Sequence, residues 1–292
     1  MIDRSVATVI DQEKCIGCEL CVKVCPSQTI SMQGDKAVVT GDRSLQCGHC
    51  AAACPVDAIR VKTLDPQSLL FKNFDLENKW LPHGEFDTSR LVQLMASRRS
   101  CRNYSAQAVD RSVLEDLVKI GTTAPSGTNC QDWTFTVLPD RAAVIEFAER
   151  IGSFFKKINR MAEKRWMRHG LRLIGKPELE FYYRQYYQSV KEGLAEWEQY
   201  RRERLFHGAP AVVVVASKPG GSCPMEDAML ATQNILLGAH SMGLGTCLIG
   251  IGIPPEETVY AVISIGYPDE QYQILTGRKK VVVRYFEAGF NK

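Results

Sequence analysis

The sequence predicts two domains, each of which combines helices with strands. Its 292 residues exceed one average domain, and about 150 residues per domain gives two. Cysteine is concentrated in one repeated frame between residues 15 and 55, whereas amphipathic helical patterns and apolar strand-like runs alternate beyond residue 88. The apolar, charged and glycine contents are those of a globular protein, which excludes a disordered or fibrous chain.

The repeated frame has the spacing C-x2-C-x2-C-x3-C-P. It runs from Cys15 to Pro26 and returns twenty-nine residues later from Ser44 to Pro55, with serine in place of the first cysteine. Thiolates select zinc or iron-sulfur clusters. Zinc sites usually take separated C-x2-C pairs, whereas here three ligands crowd one loop and the frame repeats. The frame therefore favours two iron-sulfur clusters over zinc or disulfides.

The frame resembles a two-cluster bacterial ferredoxin domain, in which the fourth cysteine of each run ligates the other cluster. The resemblance assigns one [4Fe-4S] cluster to Cys15, Cys18, Cys21 and Cys54, and a [4Fe-4S] or [3Fe-4S] cluster to Cys25, Cys47 and Cys50. Ser44 is a candidate fourth ligand of the second cluster, and solvent on that iron is the alternative. Strand-like residues 5–10 and 36–40 precede the two runs, and we expect this domain to span residues 1–62.

The first residues, Met-Ile-Asp-Arg-Ser-Val, include an acid at the third position, and no run comes near the roughly 18 apolar residues of a membrane span. We expect a cytoplasmic protein without membrane contact, and eleven cysteines fit a reducing compartment. The net charge of +3 is too small to predict nucleic-acid binding.

Residues 63–87 show little periodicity and several turn residues, which predicts a linker along the surface. A helix is predicted from near Thr88, with Leu91, Leu94, Met95 and Arg98 on one face. A second helix, with Asp110 as N-cap, should bury Leu114, Leu117 and Val118. A strand over residues 133–138 then precedes a helix opened by Asp140.

Residues 151–207 form a basic, aromatic segment with thirteen Lys or Arg against seven Glu. The segment should be mostly helical. One interpretation is a set of amphipathic helices that pack on the core or on a second subunit. The other is a lid over a pocket, whose aromatic faces stack on a flat substrate.

The apolar run 211–216 predicts a strand buried on both faces. Ser222 and Pro224 should open a helix over residues 225–242 that ends at Gly243. Two further strands are predicted over 259–265 and 281–286.

Four separated motifs carry chemistry in this second region. The first motif places three guanidiniums and a hydroxyl within five residues, Arg98-Arg99-Ser100-Cys101-Arg102. This group could bind a phosphate. The alternative is a solvated basic helix end that stabilises the helix dipole. The others are the loop 124–133, the glycine-containing segment 243–250 and the segment 264–268. In this order they resemble the nitroreductase superfamily of flavin enzymes over residues 88–285, and the whole chain resembles its ferredoxin-nitroreductase branch.

The resemblance implies an α+β fold over residues 88–292, with a mostly antiparallel sheet flanked by helices and FMN at the interface of an intertwined homodimer. Arg98, Arg99 and Ser100 would bind the flavin phosphate and ribityl oxygens, and Arg102 would face the pyrimidine edge. The partner subunit would supply Pro125, Ser126, Gly127 and Asn129. Ile249 and Gly250 would approach flavin N5, and Arg278 and Lys280 would form a second basic pair on the phosphate.

These features predict an iron-sulfur flavoprotein oxidoreductase that reduces a small organic acceptor such as a nitroaromatic or quinone. The electron donor would be NAD(P)H or a ferredoxin, and no side chain is identifiable as a general acid. The alternatives are an electron relay that docks an acidic partner on the basic segment, and a dehalogenating or flavin-modifying enzyme. His49 is expected to shape hydrogen bonds in the cluster loop, and His83, His169, His207 and His240 to be structural.

Overall fold

The computed structural model describes residues 3–250 and 258–285. The N-terminal unit consists of two short antiparallel ladders and two short helices. Strand β1 (Thr8–Ile10) pairs with β4 (Ile59–Val61), and β2 (Ile30–Gln33) pairs with β3 (Lys36–Val39). Helices α1 (Leu20–Val24) and α2 (His49–Ala52) each begin inside one cysteine run. The strands predicted before the two runs are thus present as β1 and β3.

Residues 63–87 contain a 3₁₀ turn over Pro66–Leu69 and are mostly exposed. A buried carboxylate fastens them to the second unit. Asp116 accepts hydrogen bonds from the backbone amides of Lys72 (3.0 Å) and Asn73 (2.9 Å) and from the Asn73 side-chain amide (2.8 Å). The connection therefore lies against the second unit. Its limits at residues 63 and 87 remain a prediction.

The second unit has one antiparallel sheet between helices, which confirms the predicted α+β class. The sheet consists of β5 (Trp133–Leu138), β6 (Ala211–Ser217), β7 (Gly245–Ile249) and β8 (Thr258–Gly266), in the order β5-β6-β8-β7. The principal helices are α3 (Thr88–Ser97), α4 (Arg111–Thr122), α5 (Arg141–Glu163) and α9 (Pro224–Ser241). Asp87 and Asp140 cap α3 and α5 by accepting amide hydrogen bonds in the first turn.

Strand β6 is buried along its whole length because both of its faces are covered. Val213 and Val215 pack in a core with α4 and α9, where Leu114 and Leu117 are fully buried. Val212 and Val214 point to the other face and pack with α5 and Phe206. The alternation of side chains along a strand divides this apolar run between two cores.

The basic segment continues α5 with α6 (Arg165–Leu173), α7 (Glu178–Gln185) and α8 (Tyr187–Tyr200), whereas residues 201–207 are not helical. Much of its charge is paired internally. Glu180 binds both Arg168 (2.9 Å) and Arg184 (2.7 Å), and Lys156 binds Glu198 (2.6 Å). Arg168 also lies 3.7 Å above the ring of Tyr183. These contacts make the segment a packed helical layer rather than a uniformly basic face.

Several expectations need correction. The strand predicted over 281–286 is absent from residues 281–285, which are irregular and exposed, and Phe286 lies outside the described residues. The backbone of an apolar, β-prone run can form a strand only if the edge of another strand lies beside it to accept and donate hydrogen bonds. Helix α3 ends at Ser97, so Arg98 follows the helix. Leu91 and Met95 of the expected apolar face are exposed, and Leu94 is half-buried. Strand β7 was not predicted.

One smaller difference concerns α4. Val118 is only half-buried, while Asp116 beside it in the same helix is fully buried. No helix in the described ranges is long and apolar enough to cross a bilayer.

Candidate functional site

The seven cysteines of the repeated frame line two separate cavities. Cys15, Cys18, Cys21 and Cys54 line one cavity. Cys25, Cys47, Cys50 and Ser44 line the other. Each cavity therefore takes three residues from one run and one from the other, which is the exchange of the fourth cysteine that the ferredoxin resemblance implies.

Backbone amides point at the sulfur of the exchanged cysteine in both runs. The amide of Thr29 donates to Cys25 Sγ at 3.3 Å, and the amide of Ala58 donates to Cys54 Sγ at 3.2 Å. Each donor lies four residues after its cysteine. Amide donors stabilise negative charge on cluster sulfur and help to set the reduction potential.

The repeat extends to backbone conformation. Left-handed residues recur at the same twenty-nine-residue offset as the cysteines, in the pairs Gly17 with Gln46, Glu19 with Gly48, and Gln28 with Asp57. Left-handed geometry is costly for residues other than glycine. Its recurrence in both halves shows that the two loops share one conformation.

The distances between the thiols distinguish a zinc site from iron-sulfur clusters. In the described residues no three His, Cys, Asp or Glu side chains converge closely enough to hold one metal ion. A zinc site would need four donors on a single point at about 2.3 Å for sulfur. Thiols arranged around a cavity, with amides aimed at sulfur, fit iron-sulfur clusters instead.

Ser44 occupies the place of the missing cysteine. It is buried, with 9% of its surface exposed. Its Oγ accepts a hydrogen bond from the Gln46 amide (3.0 Å), and its own amide donates to the Arg4 carbonyl (2.9 Å). These bonds hold the hydroxyl at the wall of the second cavity.

A second site begins where α3 ends, at a cluster of guanidiniums. Burial, together with the neighbouring guanidiniums of Arg278 and Arg99, lowers the pKa of Arg98 from its usual value. Arg99 Nη2 also donates to the Thr276 carbonyl at 3.2 Å, which fixes the segment that carries Arg278. Among the described residues none of these three arginines forms an ion pair with a carboxylate. Such a cluster fits a phosphate group such as that of FMN.

The motif is anchored to the edge of the sheet through β7. Ser100 bridges Thr246 in parallel, and the Cys101 amide donates to the Thr246 carbonyl at 2.8 Å. A Cβ on Gly245 would lie 2.8 Å from both Cys101 Cβ and Cys101 Sγ, so only glycine allows this approach. Thr246 Oγ1 is buried without a hydrogen-bond partner in the described structure, which leaves one polar atom available beside Ser100.

Glu270, which the sequence did not single out, holds the end of the motif. Its Oε1 accepts hydrogen bonds from the Arg102 amide and from Asn103 Nδ2, both at 2.9 Å. The Arg102 side chain is exposed, and it lies near His207 at the mouth of a cavity formed with the helical layer. Lys280 is also exposed, and Gly250 is the last described residue before the gap at 251–257.

The loop around Gly127 and Asn129 is held from two sides. On one side Asp227 Oδ1 accepts the Gly127 amide at 2.8 Å. On the other side Asn129 Nδ2 donates to the carbonyls of Leu45 and Gln46, at 3.1 Å each. Leu45 and Gln46 line the second cysteine cavity beside Ser44. The loop is therefore in direct contact with the N-terminal unit, and the Asn129 amide is engaged there.

The structure does not bring all predicted flavin-binding residues together within one chain. Ser100 lies beside Thr246, at the end of the sheet where Gly245 pairs with Gly266. The loop 125–129 precedes Trp133, which pairs with Ser217 at the opposite end. A strand of this length spans about 20 Å. Pro125, Ser126, Gly127 and Asn129 are thus separated from Arg98, Arg99, Ser100 and Arg102.

Two carboxylates, the buried Asp227 and the half-buried Glu270, are the functional residues that sequence reasoning missed. Asp227 is 4% exposed and positions the Gly127 loop, just as Glu270 positions Arg102. The local signal for Asp227 was its place in the first turn of α9, where an acid is favourable. Its partner lies 100 residues away in sequence and could not be inferred from the chain alone.

Comparison with known proteins agrees with this division. Residues 95–267 match the nitroreductase family, and residues 14–65 match a 4Fe-4S dicluster domain. A 4-nitrobenzoate reductase of Nocardioides sp. (strain LMS-CY) is 28% identical over 214 residues, which cover 62% of this chain and 81% of that protein. A ferredoxin of Methanothermococcus thermolithotrophicus is 44% identical over 59 residues, 19% of this chain and 98% of the ferredoxin.

A solved structure supports the fold of the second unit. The nitroreductase with bound FMN from Bacteroides fragilis NCTC 9343 superimposes with a TM-score of 0.50 at 19% identity, covering 68% of this chain and all of that chain (100%). The family match extends over more than half of the sequence. The chain therefore belongs to the nitroreductase family and carries a 4Fe-4S dicluster ferredoxin domain on the N-terminal side of its nitroreductase domain.

Proposed function

We propose that this protein is an iron-sulfur flavoprotein oxidoreductase that passes electrons between two clusters and FMN and reduces a small organic acceptor, such as a nitroaromatic or quinone. The observation that carries the proposal is the contact of Asn129 with Leu45 and Gln46. It joins the wall of one cysteine cavity to a loop that the family resemblance assigns to the flavin site. Electron transfer between a cluster and the flavin requires that the two cofactors lie close together. Two domains joined only by a flexible tether would not need a direct contact of this kind.

The cluster ligands follow from the two cavities. Cys15, Cys18, Cys21 and Cys54 would hold one [4Fe-4S] cluster. Cys25, Cys47 and Cys50 would hold the second, with Ser44 Oγ as the candidate fourth ligand and a [3Fe-4S] cluster as the alternative. Because serine is a harder donor than cysteine, the Ser44 site would differ in potential from the other.

Arg98, Arg99, Arg278 and Ser100 would bind the flavin phosphate and ribityl oxygens, with Lys280 near the phosphate. Arg102 would face the pyrimidine edge, where a cation stabilises reduced flavin. The main chain of Ile249 and Gly250 would approach the ring. FMN, when bound, supplies the exchange between one-electron and two-electron chemistry. The protein's own contribution is to fix these cations: Glu270 holds the Arg102 backbone, and Gly245 permits the close approach of Cys101 to β7.

The protein would act as a homodimer. The guanidinium cluster and the Gly127 loop lie at opposite ends of one sheet, so a complete site requires the loop of a second chain. Val281, Val282 and Tyr285 are 75%, 83% and 86% exposed, and α3 buries no residue. These exposed apolar surfaces would pack against a second copy of the chain. Each ferredoxin unit would then face the flavin site to which its own chain contributes the Asn129 loop.

Anaerobic purification with iron, sulfide and flavin counted per chain tests the proposal. We expect about one FMN and two clusters per chain, and dimer mass by light scattering. Stepwise addition of NADH, NADPH or reduced ferredoxin should then identify the donor, and 4-nitrobenzoate should reoxidise the flavin. A protein that binds clusters but no FMN would refute the flavoprotein proposal. FMN reduced by nicotinamide while the clusters stay oxidised would assign the clusters to electron exit rather than entry.

A further inference from the structure

A large cavity lies between the helical layer and the end of the arginine motif. Its volume is ≈ 1030 Å³, at the upper end of the range for pockets that enclose a small organic ligand. One wall is formed by α5 and α8 and includes Phe155, Leu194 and Trp197. The opposite wall includes Arg102. The cavity therefore adjoins the residue expected at the pyrimidine edge of the flavin.

The apolar wall presents aromatic faces rather than aliphatic chains alone. Phe155 and Trp197 are half-buried, with part of each side chain free toward the cavity. Phe155 is fixed by a ring of the same layer, because it stacks on Tyr182 with centroids 6.0 Å apart. Fixed aromatic rings at this wall favour a flat, aromatic ligand.

The charges at the cavity do not balance. Lys156 pairs with Glu198 (2.6 Å), Arg201 with Glu149 (4.0 Å), and Arg204 with Glu196 (3.0 Å). Glu203, the third acid of the lining beside Glu149 and Glu198, pairs with Arg141 at 3.2 Å.

Two cations of the lining are left over. Arg102 and Arg202 form no ion pair with a carboxylate among the described residues. Asp269 is the single acid of the lining without a cation at ion-pair distance. Because Arg102 is assigned to the pyrimidine edge of the flavin, Arg202 is the guanidinium of the lining that remains to pair with a negatively charged group of a ligand.

The rim that carries Arg202 is a tightly built turn. The Glu203 side chain is 3% exposed, and it accepts hydrogen bonds from the amides of Phe206 (2.5 Å) and Gly208 (3.2 Å). Those bonds hold His207 and Gly208 in left-handed conformations, with φ of 57° and 78°. For the non-glycine residue His207 this conformation is strained, and such strain persists only where surrounding contacts enforce it and is frequent at ligand sites.

His207 lies on the same rim and lines the cavity. Burial lowers its pKa, and the guanidinium of Arg102 lowers it further. At neutral pH the ring therefore offers a donor and an acceptor without adding charge.

We propose that this cavity binds the organic substrate and selects an aromatic ring bearing a single acidic group, with Arg202 pairing with the acid and Trp197 contacting the ring. Arg202 and Trp197 are thus specificity-determining residues. The inference rests on the proposed function only in identifying the ligand as the electron acceptor.

Binding to the FMN-loaded holoprotein tests the cavity directly. Isothermal titration calorimetry would compare naphthalene-2-carboxylate with naphthalene-2-carboxamide, which share a ring and differ in charge. We expect the acid to bind about tenfold more tightly than the amide, because one charge-assisted pair separates them. Arg202→Gln should bring the acid to the affinity of the amide. Trp197→Ala should weaken both ligands by a similar factor of about ten.

Arg172→Gln is the matched control, since Arg172 is an exposed cation on α6 outside the cavity lining. Equal affinity of acid and amide would overturn the proposal, as would an effect of Arg172→Gln equal to that of Arg202→Gln. FMN content and flavin reduction, measured on the same samples, separate the two proposals. Retained acid selectivity without FMN would refute only the flavoprotein function, and FMN without selectivity would refute only the cavity.

Discussion

Asn129 joins the two domains through two hydrogen bonds, and its removal gives the sharpest test of the proposed electron route. Asn129 has a left-handed backbone, with φ of 58°. Alanine there would add backbone strain of about 1–2 kcal/mol, whereas glycine adopts this conformation freely. Asn129→Gly therefore removes the side-chain amide while leaving the loop conformation accessible.

The size of the effect follows from the two hydrogen bonds to Leu45 and Gln46. A neutral hydrogen bond contributes about 0.5–1.5 kcal/mol net, so their loss should destabilise the docked arrangement by about 1–3 kcal/mol. At 1.4 kcal/mol per factor of ten, the docked arrangement becomes about five- to 150-fold less favoured. The exposed bond from Arg4 Nη1 to the Thr128 carbonyl (3.2 Å) remains but is weak.

Hydrogen exchange followed by mass spectrometry would report on docking, through faster exchange of the amides of residues 44–47 in Asn129→Gly. Anaerobic stopped-flow reduction of the flavin from pre-reduced clusters would report on electron transfer, which should slow in parallel. Asn129→Asp is the matched variant, because its carboxylate would repel both carbonyls and should exceed the glycine effect. Unchanged exchange and unchanged flavin reduction in both variants would refute the reasoning.

Three further outcomes are expected. Asp116→Asn should lower the free energy of urea unfolding at pH 7 by about 1.5–3 kcal/mol. Burial works to raise the pKa of Asp116, but hydrogen bonds from Asn73 and from backbone amides outweigh it and lower the pKa below 3.8. This contribution is therefore present above pH 3.8 and disappears as the pH falls through the folded-state pKa, where both proteins should converge. Arg98→Gln should weaken FMN binding about tenfold in equilibrium dialysis, whereas substitution of the exposed Arg90 on the preceding helix α3, Arg90→Gln, should not. Ser44→Cys should change the electron paramagnetic resonance signal of one cluster only, and an unchanged signal would show that Ser44 is no ligand.

Sequence patterns predicted those elements whose burial is completed within one chain. The strand expected over residues 133–138 has those limits, and the run 211–216 extends by one residue. Both are apolar or β-prone runs whose partners are other strands of the same sheet. The grouping of the cysteines into two cavities was equally accessible, because the repeated frame resembles that of a two-cluster ferredoxin, which implies the exchange of the fourth cysteine.

Prediction failed where the outcome depends on distant residues. From the sequence, Asp116 is a polar position on α4, and its burial is explained by hydrogen bonds from Lys72 and Asn73, 44 and 43 residues earlier. Glu270 contacts Arg102 across 168 residues. The run 281–285 has strand composition but no adjacent strand in the described chain. Composition can indicate that such a run is β-prone, but not whether its partner belongs to the same chain.

The loop between Ser126 and Gln131 indicates that the ferredoxin domain is more than an attached electron carrier. Thr128, Asn129 and Gln131 all have left-handed backbones without being glycine, and each such residue costs of the order of 1 kcal/mol or more. The bond from the Gly127 amide to Asp227 is one constraint, and the two bonds from Asn129 to the N-terminal unit are the other. Because the strain is offset partly by contacts across the domain boundary, the shape of a loop assigned to the flavin site depends on the domain that carries the clusters. Under the proposed function, the cysteine repeat would therefore contribute to the geometry of the flavin site as well as exchange electrons with it.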